Sequence, residues 1–153
     1  MGFPRLGMTN PTRQGDLTTI ELTGGPGAVA AARDAIKEVA DQEQLPRVED
    51  LRLLVSELVT NCVIHGGAGP ADRVTVSVER PDDTIRVEVR DRGRGWTKRT
   101  RSRELDSDEP PGGWGLMLVG ELAERWGIDS EQGTCVWFEL NAHPEAAAVP
   151  LVA

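Results

Sequence analysis

Two stretches of strict alternation, separated by a turn, constrain this chain more than anything else in it. RVTVSVE (residues 73–79) and TIRVEV (residues 84–89) each place a β-branched apolar residue at every second position. Successive strand side chains point to opposite faces, so each stretch has one apolar and one polar face. Pro81, Asp82 and Asp83 lie between them as a turn, and the pair reads as a β-hairpin with one buried face. A sheet with one apolar face requires a covering layer.

The cover is legible as helices. Residues 28–42 are rich in Ala, Arg, Lys and Glu, with Val29, Ala32, Ile36 and Val39 on one side. A second helix is expected from Pro46, in its first turn, to about His65, where Gly66 and Gly67 stop it. Leu51, Leu54, Val55, Leu58, Val59, Cys62 and Val63 form its apolar stripe. A third follows Gly113-Trp114-Gly115, carries Leu116, Val119, Leu122, Ala123 and Trp126, and ends at Gly127. Residues 17–22, 127–130 and 134–140 read as further strands. The expected fold is a two-layer α/β sandwich: a mixed, mainly antiparallel sheet covered on one face by three helices. One domain over residues 15–141 is expected, with flexible tails at 1–14 and 142–153 and a lid at about 92–112.

Composition narrows the function classes. Of 153 residues 39% are hydrophobic, enough for a core in a single domain. Seventeen basic against 25 acidic residues give a net charge of −8, which argues against a general nucleic-acid or membrane-surface binder. No apolar run approaches the roughly 20 residues that span a bilayer. The N-terminus lacks a secretory h-region, and Leu6 stands where an acylation signal opening Met1-Gly2 wants Ser or Thr. Cys62 and Cys135, far apart in apolar stretches, suggest free thiols in a reducing compartment, so a soluble cytoplasmic protein is expected.

Four short motifs could carry chemistry. Glu57 and Asn61 lie four apart, neighbours on one side of a helix. The ordinary reading is a surface acid and a hydrogen-bonded amide. Asn is a poor helix-interior residue, however, and its amide oxygen could ligate a hard cation while Glu57 took a proton from a hydroxyl. DRGRGW, residues 91–96, follows a strand directly. It is either a plain Asp-Gly turn or an acceptor, Asp91, for an exocyclic amine, with Gly93 and Gly95 permitting close backbone approach. GGWGL, residues 112–116, opens a helix whose free N–H groups suit an anion, or else is a hinge. It is neither a P-loop nor a complete dinucleotide fingerprint. GTCVWF, residues 133–138, puts a hydroxyl, Thr134, at the start of a strand that also reads as simple core. Between residues 90 and 103 seven basic residues face one acid. That run is a solvated loop or the neighbour of a polyphosphate. Cys62-x-x-His65 offers two metal ligands and no second pair, so no transition-metal site is expected.

The order and spacing of these motifs are distinctive. Glu57-x-x-x-Asn61, Asp91-x-Gly93-x-Gly95, a long lid, Gly113-x-Gly115-Leu116 and Gly133-Thr134 resemble the GHKL, or Bergerat-fold, ATPase superfamily. SELVTNCVIHG with GWGLMLVGELAERWG is similar, more narrowly, to the bacterial anti-sigma factor serine/threonine kinases. The resemblance covers about residues 15–140 and implies ATP and Mg²⁺ as cofactors. It implies Asn61 as the Mg²⁺ ligand, Glu57 as general base and Asp91 as acceptor for the adenine amine. Gly93 and Gly95 would lie against base and ribose. Gly113, Gly115 and Leu116 would bring the third helix to the phosphates, and Thr134 would assist Asp91. It further implies a sigma factor and its anti-anti-sigma antagonist as partners, the antagonist accepting phosphate on Ser or Thr, and a homodimer. No direct nucleic-acid or membrane contact is implied. The chain departs from the pattern at Ile64 and Trp114, where relatives often carry Arg. Two functions therefore compete: an ATP-dependent protein kinase that binds a sigma factor, and a catalytically weak or inactive nucleotide-binding module acting through protein binding alone.

Overall fold

A computed structural model describes residues 10–91, 113–129 and 133–143 of the chain. Its strands are β1 (Thr12–Gln14), β2 (Leu17–Thr23), β3 (Arg73–Glu79), β4 (Thr84–Asp91), β5 (Arg125–Asp129) and β6 (Thr134–Asn141). Its helices are α1 (Ala28–Glu43), α2 (Val48–Ile64) and α3 (Gly113–Leu122). The strands form one sheet in the order β1-β2-β3-β4-β6-β5.

Every neighbouring pair in that sheet is antiparallel, so the mainly antiparallel sheet expected from the sequence is antiparallel throughout. The connections explain it. Two helix passes, α1 and α2, separate β2 from β3, and an even number of passes returns the chain pointing the opposite way. β5 runs in the direction of β4, but β6 inserts between them and pairs antiparallel to both.

Valines 74, 76 and 78 of β3 and Ile85, Val87 and Val89 of β4 are all essentially fully buried, as alternation requires. Val136, Phe138 and Leu140 extend the same face across β6. Leu51, Leu54, Val55, Leu58 and Val59 of α2 press on it, with Ala32, Ala35, Ile36 and Val39 of α1 alongside. Each such branched side chain contributes about 1.5–3 kcal/mol on burial. The opposite face is polar. There Arg86 reaches Glu139 at 2.9 Å and Glu88 at 3.1 Å, and its guanidinium lies 4.3 Å from the centre of the Trp137 ring.

Three boundaries differ from expectation. Residues 12–14, read as tail, form an edge strand that Gly15, at φ 63°, folds back onto β2. Three exposed residues are too few to show a period. Pro46 lies outside α2, whose N-cap is Arg47 in the left-handed region at φ 60°. The Arg47 side chain donates to the Asn141 carbonyl at 3.2 Å and meets Asp50 at 3.0 Å, tying the start of α2 to the end of β6. Finally, α3 stops at Leu122 and Trp126 belongs to β5, opposite Phe138. The four-residue step from Leu122 to Trp126 imitates a helical repeat. The indole instead lies over Gly120, where a Cβ would stand 3.6 Å from Trp126 Nε1.

Candidate functional site

The site forms where the last turn of α2 and the loop after it meet the end of β4, beside the start of β6. Glu57 is half-buried and Asn61, one turn later, is 5% exposed. The inward apolar stripe of α2 fixes the helix against the sheet and thereby carries Asn61 inside. Among the described residues the Asn61 amide nitrogen is buried and has no hydrogen-bond partner. Buried polar groups are nearly always bonded, so one that the fold does not use points to a ligand.

Asp91 ends β4 directly opposite Thr134, the first residue of β6. Directly opposed residues share a face of the sheet. Here it is the helix-covered face, continuing the rows of Val89 and Val136. Both side chains are buried, Asp91 to 1% exposure and Thr134 to 3%. A carboxylate and a hydroxyl that are 91 and 134 in sequence thus become one paired group below α2.

The helix end and the strand ends meet through the loop after α2. The His65 and Gly66 amides both donate to the Asn61 carbonyl at 2.9 Å, and the Ala68 amide donates to the Cys62 carbonyl at 3.0 Å. Gly67 turns the chain at φ 68°. This loop is sewn to the turn before α1, where the Gly25 amide donates to the Ala68 carbonyl and the Gly24 amide to the Asp72 carbonyl, both at 2.9 Å. Cys62 faces inward beside Asp91. Burial first, then the negative charge of Asp91, pushes its thiol up to about 12. Cys62 and Cys135 are both free, and Cys135 lies on the polar face opposite Arg90.

Gly113 and Gly115 fall in the first turn of α3, and Leu116, 4% exposed, seats that turn in the core. Gly93, Gly95 and the basic lid at 92–112 lie outside the described residues, as do the tails at 1–9 and 144–153. Ile64 closes α2 with 68% exposure. Among the described residues no cluster of three or more His, Cys, Asp or Glu could hold a metal, and no helix is long and apolar enough to cross a membrane. Sequence reasoning missed Gly66, which it read as a helix stop. A Cβ there would meet the Asp91 carboxylate at 2.6 Å.

The arrangement suits a nucleotide. Asp91 with Thr134 can accept from the amine of a base, the Asn61 amide can turn to a cation, and the first turn of α3 offers N–H groups to an anion.

Comparison with known proteins agrees. The profile described as histidine kinase-like ATPase domain matches residues 22–140. Serine-protein kinase RsbW of Listeria monocytogenes serovar 1/2a is 30% identical over 132 residues, covering 79% of this chain and 84% of that one. The anti-sigma F factor of Clostridium acetobutylicum is 29% identical over 93 residues, covering 58% of this chain and 65% of that one. Among solved structures, the RsbU and RsbW domains of a Mycobacterium tuberculosis protein align with a TM-score of 0.58 at 21% identity. That alignment covers 80% of this chain but 32% of the other, so the likeness is one of fold with about a third of a longer protein. The profile match runs from β2 to β6 and takes in Asn61, Asp91 and Thr134, so the chain belongs to the histidine kinase-like ATPase family.

Proposed function

We propose that this protein is an ATP-dependent, anti-sigma-factor-type serine/threonine kinase, which phosphorylates an antagonist protein and binds a sigma factor. The observation that carries this reading is the buried Asn61 amide nitrogen, without a hydrogen-bond partner among the described residues, one turn beyond a half-buried Glu57. The names of the relatives, serine-protein kinase and anti-sigma factor, support it.

The residues present fit Mg²⁺-ATP. Asn61 would hold Mg²⁺ through its amide oxygen, Asp91 and Thr134 would receive the adenine, and Gly113 and Gly115 would let α3 approach the phosphates. When bound, Mg²⁺-ATP supplies the phosphoryl group and neutralises charge developing on it. The chain's own tasks are then positioning and proton transfer. Glu57 accepts the proton of the acceptor Ser or Thr hydroxyl, raising its nucleophilicity. Burial of Asp91 keeps water from competing for the base. The apolar stripe of α2 holds Glu57 and Asn61 in fixed relation to the sheet. A homodimer belongs to the same proposal, and light scattering on the purified protein measures it.

Labelled ATP and a purified candidate antagonist test the activity. Wild type is expected to label the antagonist, and Glu57→Ala to lose about 100-fold or more in transfer while still binding ATP. Normal transfer by Glu57→Ala would refute the assignment of Glu57.

A further inference from the structure

We infer that Gly66 is a positioning residue of the nucleotide site: its missing side chain leaves the room that holds the Asp91 carboxylate, and so sets how well the site tells adenine from bases lacking an exocyclic amine. The inference rests on the reading of Asp91 as the acid that recognises the base.

The backbone does not require a glycine at position 66. The positive φ of the loop belongs to Gly67, at 68°, and Gly66 is not among the residues in that region. What excludes a side chain is space. A Cβ at 66 would stand 2.6 Å from Asp91 Oδ2 and 2.7 Å from the Cys62 carbonyl oxygen, distances at which something must move. Neither neighbour has an easy retreat. Asp91 is 1% exposed, and its backbone is held in register with Val74 on one side and Thr134 on the other. The Cys62 carbonyl already accepts from the Ala68 amide at 3.0 Å. The Cys62 carbonyl is main chain within α2, whereas the Asp91 carboxylate is the end of a side chain, so the carboxylate is the group displaced. Gly66 also donates its amide to the Asn61 carbonyl at 2.9 Å. One residue without a side chain therefore touches the backbone of the proposed metal ligand and the side chain of the proposed base acceptor.

The test compares the affinities of Mg²⁺-ATP and Mg²⁺-ITP by calorimetry. Inosine carries a carbonyl where adenine carries its amine. The proteins are wild type, Gly66→Ala, Asp91→Asn and the double variant Gly66→Ala/Asp91→Asn. Wild type is expected to prefer ATP by about 10–100-fold, the size of one lost buried hydrogen bond. Gly66→Ala should bring that ratio close to the ratio of Asp91→Asn, and the double variant should change it no further. A merely structural glycine would weaken both nucleotides equally, and a Gly66→Ala protein that keeps the wild-type ratio overturns the inference. If wild type shows no preference, the reading of Asp91 fails and this inference with it. Should Gly66→Ala not fold, Gly66→Ala/Asp91→Ala decides. A fold regained there places the conflict at the carboxylate and supports the inference. A fold still lost places it at the Cys62 carbonyl and overturns the inference.

Discussion

Replacing Asn61 with leucine should make the ligand-free protein more stable while destroying its response to nucleotide. Asn61 is 5% exposed, and its amide nitrogen is buried with no hydrogen-bond partner among the described residues. Leaving such a group unbonded costs about 1–3 kcal/mol. Asn is also a few tenths of a kcal/mol worse than Leu inside a helix. Leucine branches at the same carbon and meets the apolar neighbours of α2. The gain in unfolding free energy is then about 2 kcal/mol. For a domain of this size each kcal/mol moves Tm by about 3–4 °C, so Asn61→Leu should melt about 6–8 °C higher without ligand. Differential scanning calorimetry with and without Mg²⁺-ATP reads both effects. The wild-type curve should move up with nucleotide, and the variant curve should not. If Asn61→Leu melts at or below the wild-type temperature in the absence of ligand, the amide serves the fold and the reasoning is wrong.

Two further outcomes follow from the geometry. The Cys62 thiol, pushed up to about 12 by burial and then by Asp91, stays neutral in the folded state while the unfolded thiol ionises above its ordinary value of 9.0. The native state then binds more protons, so this contribution is fully present below about pH 9 and falls by up to about 1.4 kcal/mol per pH unit toward pH 12. The chain has no tyrosine and only Lys37 and Lys98 as lysines, which keeps the alkaline range simple. Urea denaturation between pH 8 and 10.5 should show a shallower decline in Cys62→Ala, and equal slopes would contradict the assignment. At Gly127 a Cβ would stand 2.8 Å from Trp137 ring atoms. Gly127→Val should displace that ring from beneath Arg86 and lower stability by about 1–3 kcal/mol in the same denaturation assay. An unchanged midpoint would mean that β5 adjusts freely.

Much of this architecture was legible because hydrophobic period decides it. The alternation in β3 and β4 and the α2 stripe need no tertiary information, and each occupies the expected residues to within a few positions. Where period fails, so did the reading. Three residues of β1 cannot show alternation, and Trp126 satisfied a helical spacing while its real partner was Phe138, twelve residues on. The sheet's uniform antiparallel order depends on β6 inserting between β4 and β5, a long-range choice that no local pattern records. The site divides in the same way. Glu57 and Asn61 are one helical turn apart and readable as a pair. The opposition of Asp91 and Thr134 is a matter of register between distant strands. Gly66 was visible only as a helix stop, because its significance lies in a carboxylate 25 positions away that packs against the absent side chain.

The central claim is that Asn61, Asp91 and Thr134 form an adenine-nucleotide site, and a thermal-shift titration with Mg²⁺-ATP and Mg²⁺-ADP on wild type and Asp91→Asn tests it most directly. At about 100 times Kd a ligand specific for the native state adds about 2.7 kcal/mol, a rise of about 8–11 °C at this size. Wild type should show that rise with both nucleotides, and Asp91→Asn should lose most of it. No shift in wild type, or an equal shift in Asp91→Asn, would contradict the account.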